Sequence, residues 1–133
     1  HIANIVFQDN YMLKQLNAIV HPLVKIDFEN WLLLQKKEPL VIKEAAILIE
    51  SGAYKELDVL IVVLADKKTR IKRVINRDNV SKEDVEKRME TQISDSERLK
   101  FANFSVDNNT DQSNLKMQVG ELYKQLLSYP KNK

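Results

Sequence analysis

Apolar residues recur at helical spacing along the first third of the chain. Met12, Leu13, Leu16, Ile19 and Val20 fall on one side of a helix that Asp9 is placed to cap, its carboxylate able to accept the unpaired N–H groups of the first turn. That helix is predicted to end at His21-Pro22. Pro22, whose missing N–H costs nothing at a first helical position, then opens a second helix bearing Leu23, Ile26, Trp31 and Leu34 toward Lys37. Pro39 forces an extended entry to Leu40-Val41-Ile42, a short buried strand. The run from Val59 to Leu64 has no alternation, so it reads as a strand buried on both faces, as in a parallel sheet.

Helical spacing returns over Lys67 to Arg77 through Ile71, Val74 and Ile75, and Ser81 with Asp84 and Ser94 with Glu97 have the form of capping boxes that open further helices. Phe104-Ser105-Val106 is a third short strand. The loop from Asp107 to Asp111 leads to a last amphipathic helix carrying Leu115, Val119, Leu122 and Leu126. Phe28, Trp31, Phe101 and Phe104 fit core packing. Strands separated by helices imply right-handed crossovers and an α/β fold with a mostly parallel sheet. About three strands are too few to build such a sheet, and the chain starts on His1 rather than Met, so a segment before His1 is expected to be missing.

Composition narrows the chemistry. The 133 residues, 44% hydrophobic and 30% charged, suit one core. The absence of cysteine excludes disulfide frameworks, thiolate zinc sites and thiol catalysis. Twenty-one basic residues against nineteen acidic ones leave a formal charge of +2, too balanced to announce nucleic acid. No apolar run approaches the roughly 18 residues of a membrane span, and no signal-peptide plan opens the chain; a cytoplasmic protein without a membrane partner is expected.

Candidate chemistry gathers on the helix after the second strand. Arg70, Arg73 and Arg77 lie on one side of it, opposite Ile71, Val74 and Ile75, and like charges at that spacing repel by roughly 0.2 to 0.5 kcal/mol per pair unless an anion sits among them. The bland alternative is a solvated basic face with Asp66 pairing Arg70 across one turn. Arg88 follows Asp84 at the favourable spacing for an ion pair, and Gln92 could donate to a phosphate or a lid backbone, an exposed amide near a helix end being the commoner case. Glu44 is a candidate for a magnesium-facing acid at the carboxyl end of a strand, with a solvated surface acid as the default, and Asp107 and Asn108 follow another strand, where an Asx turn is the bland alternative. The only histidines, His1 and His21, give a histidine metal site no support.

Taken in order, Leu16-Asn17-Ala18-Ile19-Val20-His21-Pro22-Leu23-Val24, Ile47-Leu48-Ile49-Glu50-Ser51-Gly52, Arg73-Val74-Ile75-Asn76-Arg77-Asp78, Gln92 and Val106-Asp107-Asn108-Asn109 resemble the dephospho-CoA kinase family in sequence and spacing. The resemblance runs from about Ile5 to Leu127. It implies a P-loop kinase-like core, of which this chain holds an incomplete sheet, with a helical acceptor region over about 1–38, core segments at 39–66 and 103–128, and a lid over 67–102. It further implies transfer of the ATP γ-phosphoryl to the ribose 3′-hydroxyl of dephospho-CoA, the last step of coenzyme A biosynthesis. Arg73 and Arg77 would stabilise phosphate charge, Asn108 would border adenine and His21 would contact the acceptor. Mg2+ would be held mostly by the absent segment.

Two departures matter. The loop G-x-x-x-x-G-K-[ST] is absent, since the only glycines, Gly52 and Gly120, do not precede lysine, and the backbone N–H cradle for phosphates goes with it. Ala46 stands where the family commonly has proline. The chain is therefore expected to be inactive alone. The rival readings are a non-catalytic α/β binding module, using the basic helix for an acidic partner, and another nucleotide kinase.

Overall fold

A computed structural model of the chain describes residues 6, 9–90 and 92–130. They fall into two compact units, His1–Ile42 and Lys43–Lys133.

The first unit is built on one helix, α1, Asn10–Leu33. Asp9 caps it as expected, Oδ1 accepting the N–H groups of Tyr11 at 2.8 Å and Met12 at 3.3 Å. The helix does not end at His21-Pro22 but runs through Pro22. Proline removes one i→i−4 bond, at a local cost of about 3 kcal/mol, and the turns on either side of a 24-residue helix keep theirs. Because the apolar spacing is helical on both sides of Pro22, the sequence does not separate a proline that starts a helix from one that interrupts it. Trp31 is 45% exposed, so it is no core residue, although its ring lies 5.8 Å from that of half-buried Phe28. Leu40–Ile42 is not a strand. An extended segment becomes one only through ladder hydrogen bonds, and the sheet among the described residues has two strands rather than three.

The second unit opens with a 3₁₀ turn, Ala53–Glu56, entered through Gly52 at φ 76°, a left-handed conformation that favours glycine. There follow β1 (Ile61–Leu64), α2 (Lys67–Asp78), α3 (Lys82–Glu90), α4 (Asp95–Leu99), β2 (Phe104–Asp107) and α5 (Gln112–Leu127). β1 and β2 pair in parallel, from Ile61 opposite Phe104 to Leu64 opposite Asp107. Their starts are pinned by Asn103, whose Oδ1 accepts the Leu60 N–H at 2.8 Å while its own N–H donates to the Leu60 carbonyl at 2.9 Å.

Each cap uses a short polar side chain. Asp66 accepts the Thr69 N–H to start α2, Asp111 accepts the Asn114 N–H to start α5, and Ser94 with Glu97 forms a complete capping box on α4. The Ser81 hydroxyl accepts the Asp84 N–H and donates to Asp84 Oδ2 at the start of α3.

The core of this unit is thin: Leu60, Val62, Ile71, Val85 and Val106. α5 packs on β2, α3 on α2 and α4 on β1. The run Val59–Leu64 is not buried on both faces. Val62 is 7% exposed but Val63, opposite buried Val106 on the neighbouring strand, is 59% exposed. Phe101 is likewise exposed, edge-on to Tyr54 at 5.1 Å, and Phe104 is half-buried against Tyr129 at 5.8 Å. No helix among the described residues is long and apolar enough to cross a membrane.

Candidate functional site

The loops at the carboxyl ends of β1 and β2 are tied together. The Asn108 N–H donates to the Leu64 carbonyl and the Asp66 N–H to Asn109 Oδ1, each at 2.7 Å. The Asn109 N–H donates to Asp107 Oδ1 at 2.7 Å, so the Asx turn read from the sequence is present. From α5, Gln118 clasps Asp107: its Oε1 accepts the Asp107 N–H and its Nε2 donates to the Asp107 carbonyl, both at 2.9 Å. Arg73 of α2 then donates Nη1 to the Asn108 carbonyl at 2.7 Å. Two site residues named from separate motifs thus meet at the strand ends, where α/β sheets gather ligands.

Beside this junction, α2 and α3 enclose a shallow cleft of about 240 Å³, with Arg70, Arg77, Arg88 and Gln92 around an apolar floor of Val74, Val85 and Met89. Arg70 and Arg77 of α2 therefore face a second helix together with Val74, whereas Arg73 is directed to the Asn108 loop and does not line the cleft. Arg77 grips the adjacent Asp78 with Nε at 2.7 Å and Nη2 at 3.0 Å, and Arg88 Nη1 stands 4.0 Å from the same carboxylate. The hydrogen bond from Arg77 holds the Asp78 carboxyl below its ordinary range, and the same bond pushes the Arg77 guanidinium up.

Two expected pairs are replaced. Arg70 does not pair with Asp66, whose carboxylate turns to the helix N-terminus and takes the N–H and hydroxyl of Thr69. Arg70 instead reaches Asp95 of α4 with Nη1 at 3.3 Å and Nη2 at 2.9 Å. For Arg88, expected on Asp84, the neighbour is Asp78, while Ser81 engages the Asp84 carboxylate. Gln92 is half-buried rather than exposed, and its Oε1 accepts from Arg98 Nη2 at 2.7 Å.

His21 lies exposed on α1, in the first unit, whereas Arg73, Arg77 and Asn108 belong to the second; His1 falls outside the described residues. Glu44 is exposed, and Glu50 accepts the Ile93 N–H at 3.3 Å. Among the described residues no three His, Cys, Asp or Glu side chains gather to hold a metal. Sequence reasoning missed Asp78, Asp95, Arg98 and Gln118 as parts of the site. The first turn of α4 was legible from its capping box, but nothing in the sequence shows that Asp95 meets an arginine 25 positions earlier.

Asp66, Asp78, Glu97 and Asp111 are all held below their ordinary values: the Thr69 hydroxyl, the Arg77 guanidinium, the Ser94 hydroxyl and the Asn114 N–H are the leading causes, respectively. A carboxyl with a depressed folded pKa gives stability that is present above its unfolded value and lost as pH falls through the folded one. The urea midpoint is therefore expected to be level above about pH 5 and to drop below about pH 4. Melts across that range check it, and a midpoint that rises on acidification would contradict it.

The geometry has parallels. The dephospho-CoA kinase family model matches residues 1–114. The dephospho-CoA kinase of Leptospira interrogans is 37% identical over 126 residues, covering 95% of this chain and 61% of that protein. That of Aquifex aeolicus is 34% identical over 129 residues, covering 97% and 65%. Among solved structures, the crystal structure of TT1252 from Thermus thermophilus is similar at TM-score 0.82 and 30% identity, over 94% of this chain and 65% of that one. Dephospho-CoA kinase from Campylobacter jejuni gives TM-score 0.64 at 26% identity, over 96% and 64%. The chain spans about 61% of the length of the first of these relatives. The family model, the identities and the α/β, P-loop kinase-like fold agree: the chain belongs to the dephospho-CoA kinase family.

Proposed function

We propose that this chain supplies the acceptor-side, lid and adenine-side parts of an enzyme that transfers the γ-phosphoryl of ATP to the ribose 3′-hydroxyl of dephospho-CoA. The observation that carries the reading is the arginine-lined cleft beside the Arg73–Asn108 junction, in a chain of this family. In the reaction the 3′-oxygen bonds to the γ-phosphorus as the bond to the β–γ bridging oxygen breaks, ADP leaves and the hydroxyl proton is lost. Negative charge is spread over the transferring group, and guanidinium groups held in place stabilise it without reorganising.

In this assignment residues 1–38 face the acceptor, with His21 in contact with it. Residues 67–102 form the lid, and 39–66 with 103–128 belong to the core. Arg77 meets phosphate oxygens, Arg73 both anchors the Asn108 loop and contacts ATP, and Asn108 borders adenine. Mg2+ would take its ligands mostly from outside this chain.

The chain alone is expected to be inactive, because it contains no G-x-x-x-x-G-K-[ST] loop and side chains do not replace an oriented row of backbone N–H groups. The purified 133-residue chain, incubated with ATP and dephospho-CoA, is expected to yield no coenzyme A above a blank. Product above the blank overturns the inactivity. A full-length enzyme carrying this segment that fails to phosphorylate dephospho-CoA overturns the substrate assignment.

A further inference from the structure

Asp95 has no place in the reaction as assigned, yet two arginines end on it. Arg70 reaches it with both terminal nitrogens, at 3.3 and 2.9 Å, and Arg98 Nη1 adds a contact to Oδ1 at 3.5 Å. The Nε of Arg70 is buried and meets no acceptor among the described residues, so Asp95 is the carboxylate that orients that guanidinium, and each terminal nitrogen keeps a second N–H beyond the one spent on it. Arg98 in turn donates to Gln92 Oε1 at 2.7 Å. Arg70 and Gln92 both line the cleft between α2 and α3, and both are therefore held, one directly and one through Arg98, by a single carboxylate. Two parallel N–H···O bonds fix direction as well as distance. Asp95 is itself fixed in the first turn of α4 by the Ser94–Glu97 capping box.

We propose that Asp95 is a positioning residue of the cleft, holding the Arg70 guanidinium and, through Arg98, the Gln92 amide in the orientation that receives a polyphosphate. The proposal deepens the kinase reading and rests on it.

Two effects of opposite sign meet at this residue. Removing a negative charge close to an anion site tightens anion binding by Coulomb attraction alone. Removing the group that orients Arg70 weakens it, because a guanidinium free to rotate loses its directed bonds. The sign of the change for a neutral, isosteric variant separates the two.

The test is isothermal titration of inorganic tripolyphosphate into the 133-residue chain and its Asp95→Asn, Asp95→Glu, Arg98→Lys and Arg77→Gln variants at low salt, with a thermal melt of each. Asp95→Asn is expected to bind about tenfold more weakly, and Asp95→Glu, which restores the carboxylate, to recover most of the loss. If Asp95→Asn does not fold, Arg98→Lys carries the same expectation, since it keeps the charge and loses the fork. Unchanged or tighter binding by Asp95→Asn, or by Arg98→Lys in its place, overturns the proposal even if the melting temperature falls. Arg77→Gln separates the two failures. Weaker binding there with no loss at Asp95 leaves the cleft as the anion site and removes only Asp95's role, whereas no loss at Arg77 removes the cleft reading and the proposal with it.

Discussion

Arg73→Lys, in a full-length enzyme carrying this segment, is expected to lower kcat by roughly tenfold to a thousandfold, or about 1.4 to 4 kcal/mol of barrier. Lysine keeps the charge and loses the fork, so the variant measures geometry rather than electrostatics. In the structure one arm of Arg73 donates to the Asn108 carbonyl at 2.7 Å, which directs the guanidinium to the carboxyl ends of the strands. Were Arg73 only a tether for the Asn108 loop, the variant would lose about 1 kcal/mol of stability and raise KM for ATP with kcat intact. Measuring kcat, KM and melting temperature together therefore distinguishes a residue that contacts the transferring group from one that holds a loop. Arg70 is not a neutral comparison, because its partner is Asp95 at the cleft rather than Asp66 at the start of its own helix. Lys124, paired with Glu121 on exposed α5, is the better control: Lys124→Gln is expected to leave kcat unchanged.

The second large effect is a contrast between neighbours in β1. Val62→Asp is expected to cost about 3 to 5 kcal/mol, because it leaves an unpaired carboxylate in the core, a large share of the roughly 5 to 15 kcal/mol that holds a typical domain together. Val63→Asp, one residue on, is expected to cost no more than about 1 kcal/mol, the span of strand propensity. Val62 is 7% exposed and Val63 59%, and successive strand residues point to opposite faces. Urea denaturation of the two variants checks the difference. Equal, large losses at both positions would mean that Val63 is covered in solution.

How far the sequence reaches is visible at particular residues. Asp9 and Ser94 cap their helices through partners two or three positions away, as read from the short polar side chain beside the run it starts, whereas Asp66 and Asp111 cap theirs without having been read so. The same locality made α2, β2 and α5 legible to within a residue or two. The family motifs carried Arg73 and Asn108 as site residues without any hint that they touch.

Other features were decided only by tertiary structure. Pro22 starts or interrupts a helix with the same apolar spacing on both sides, and Leu40–Ile42 has strand composition but no ladder partner among the described residues. The uniform run of β1 is covered on the side of Val62 and open at Val63, since burial depends on which helix lies above a strand. At the site, Arg70 had a candidate partner four residues away and took another on α4, because the nearer carboxylate was already spent on a helix cap. Interactions along a helix turn depend on spacing, which a sequence records. Which distant carboxylate a long flexible arginine meets depends on how α2, α3 and α4 pack, and no spacing in the chain encodes that.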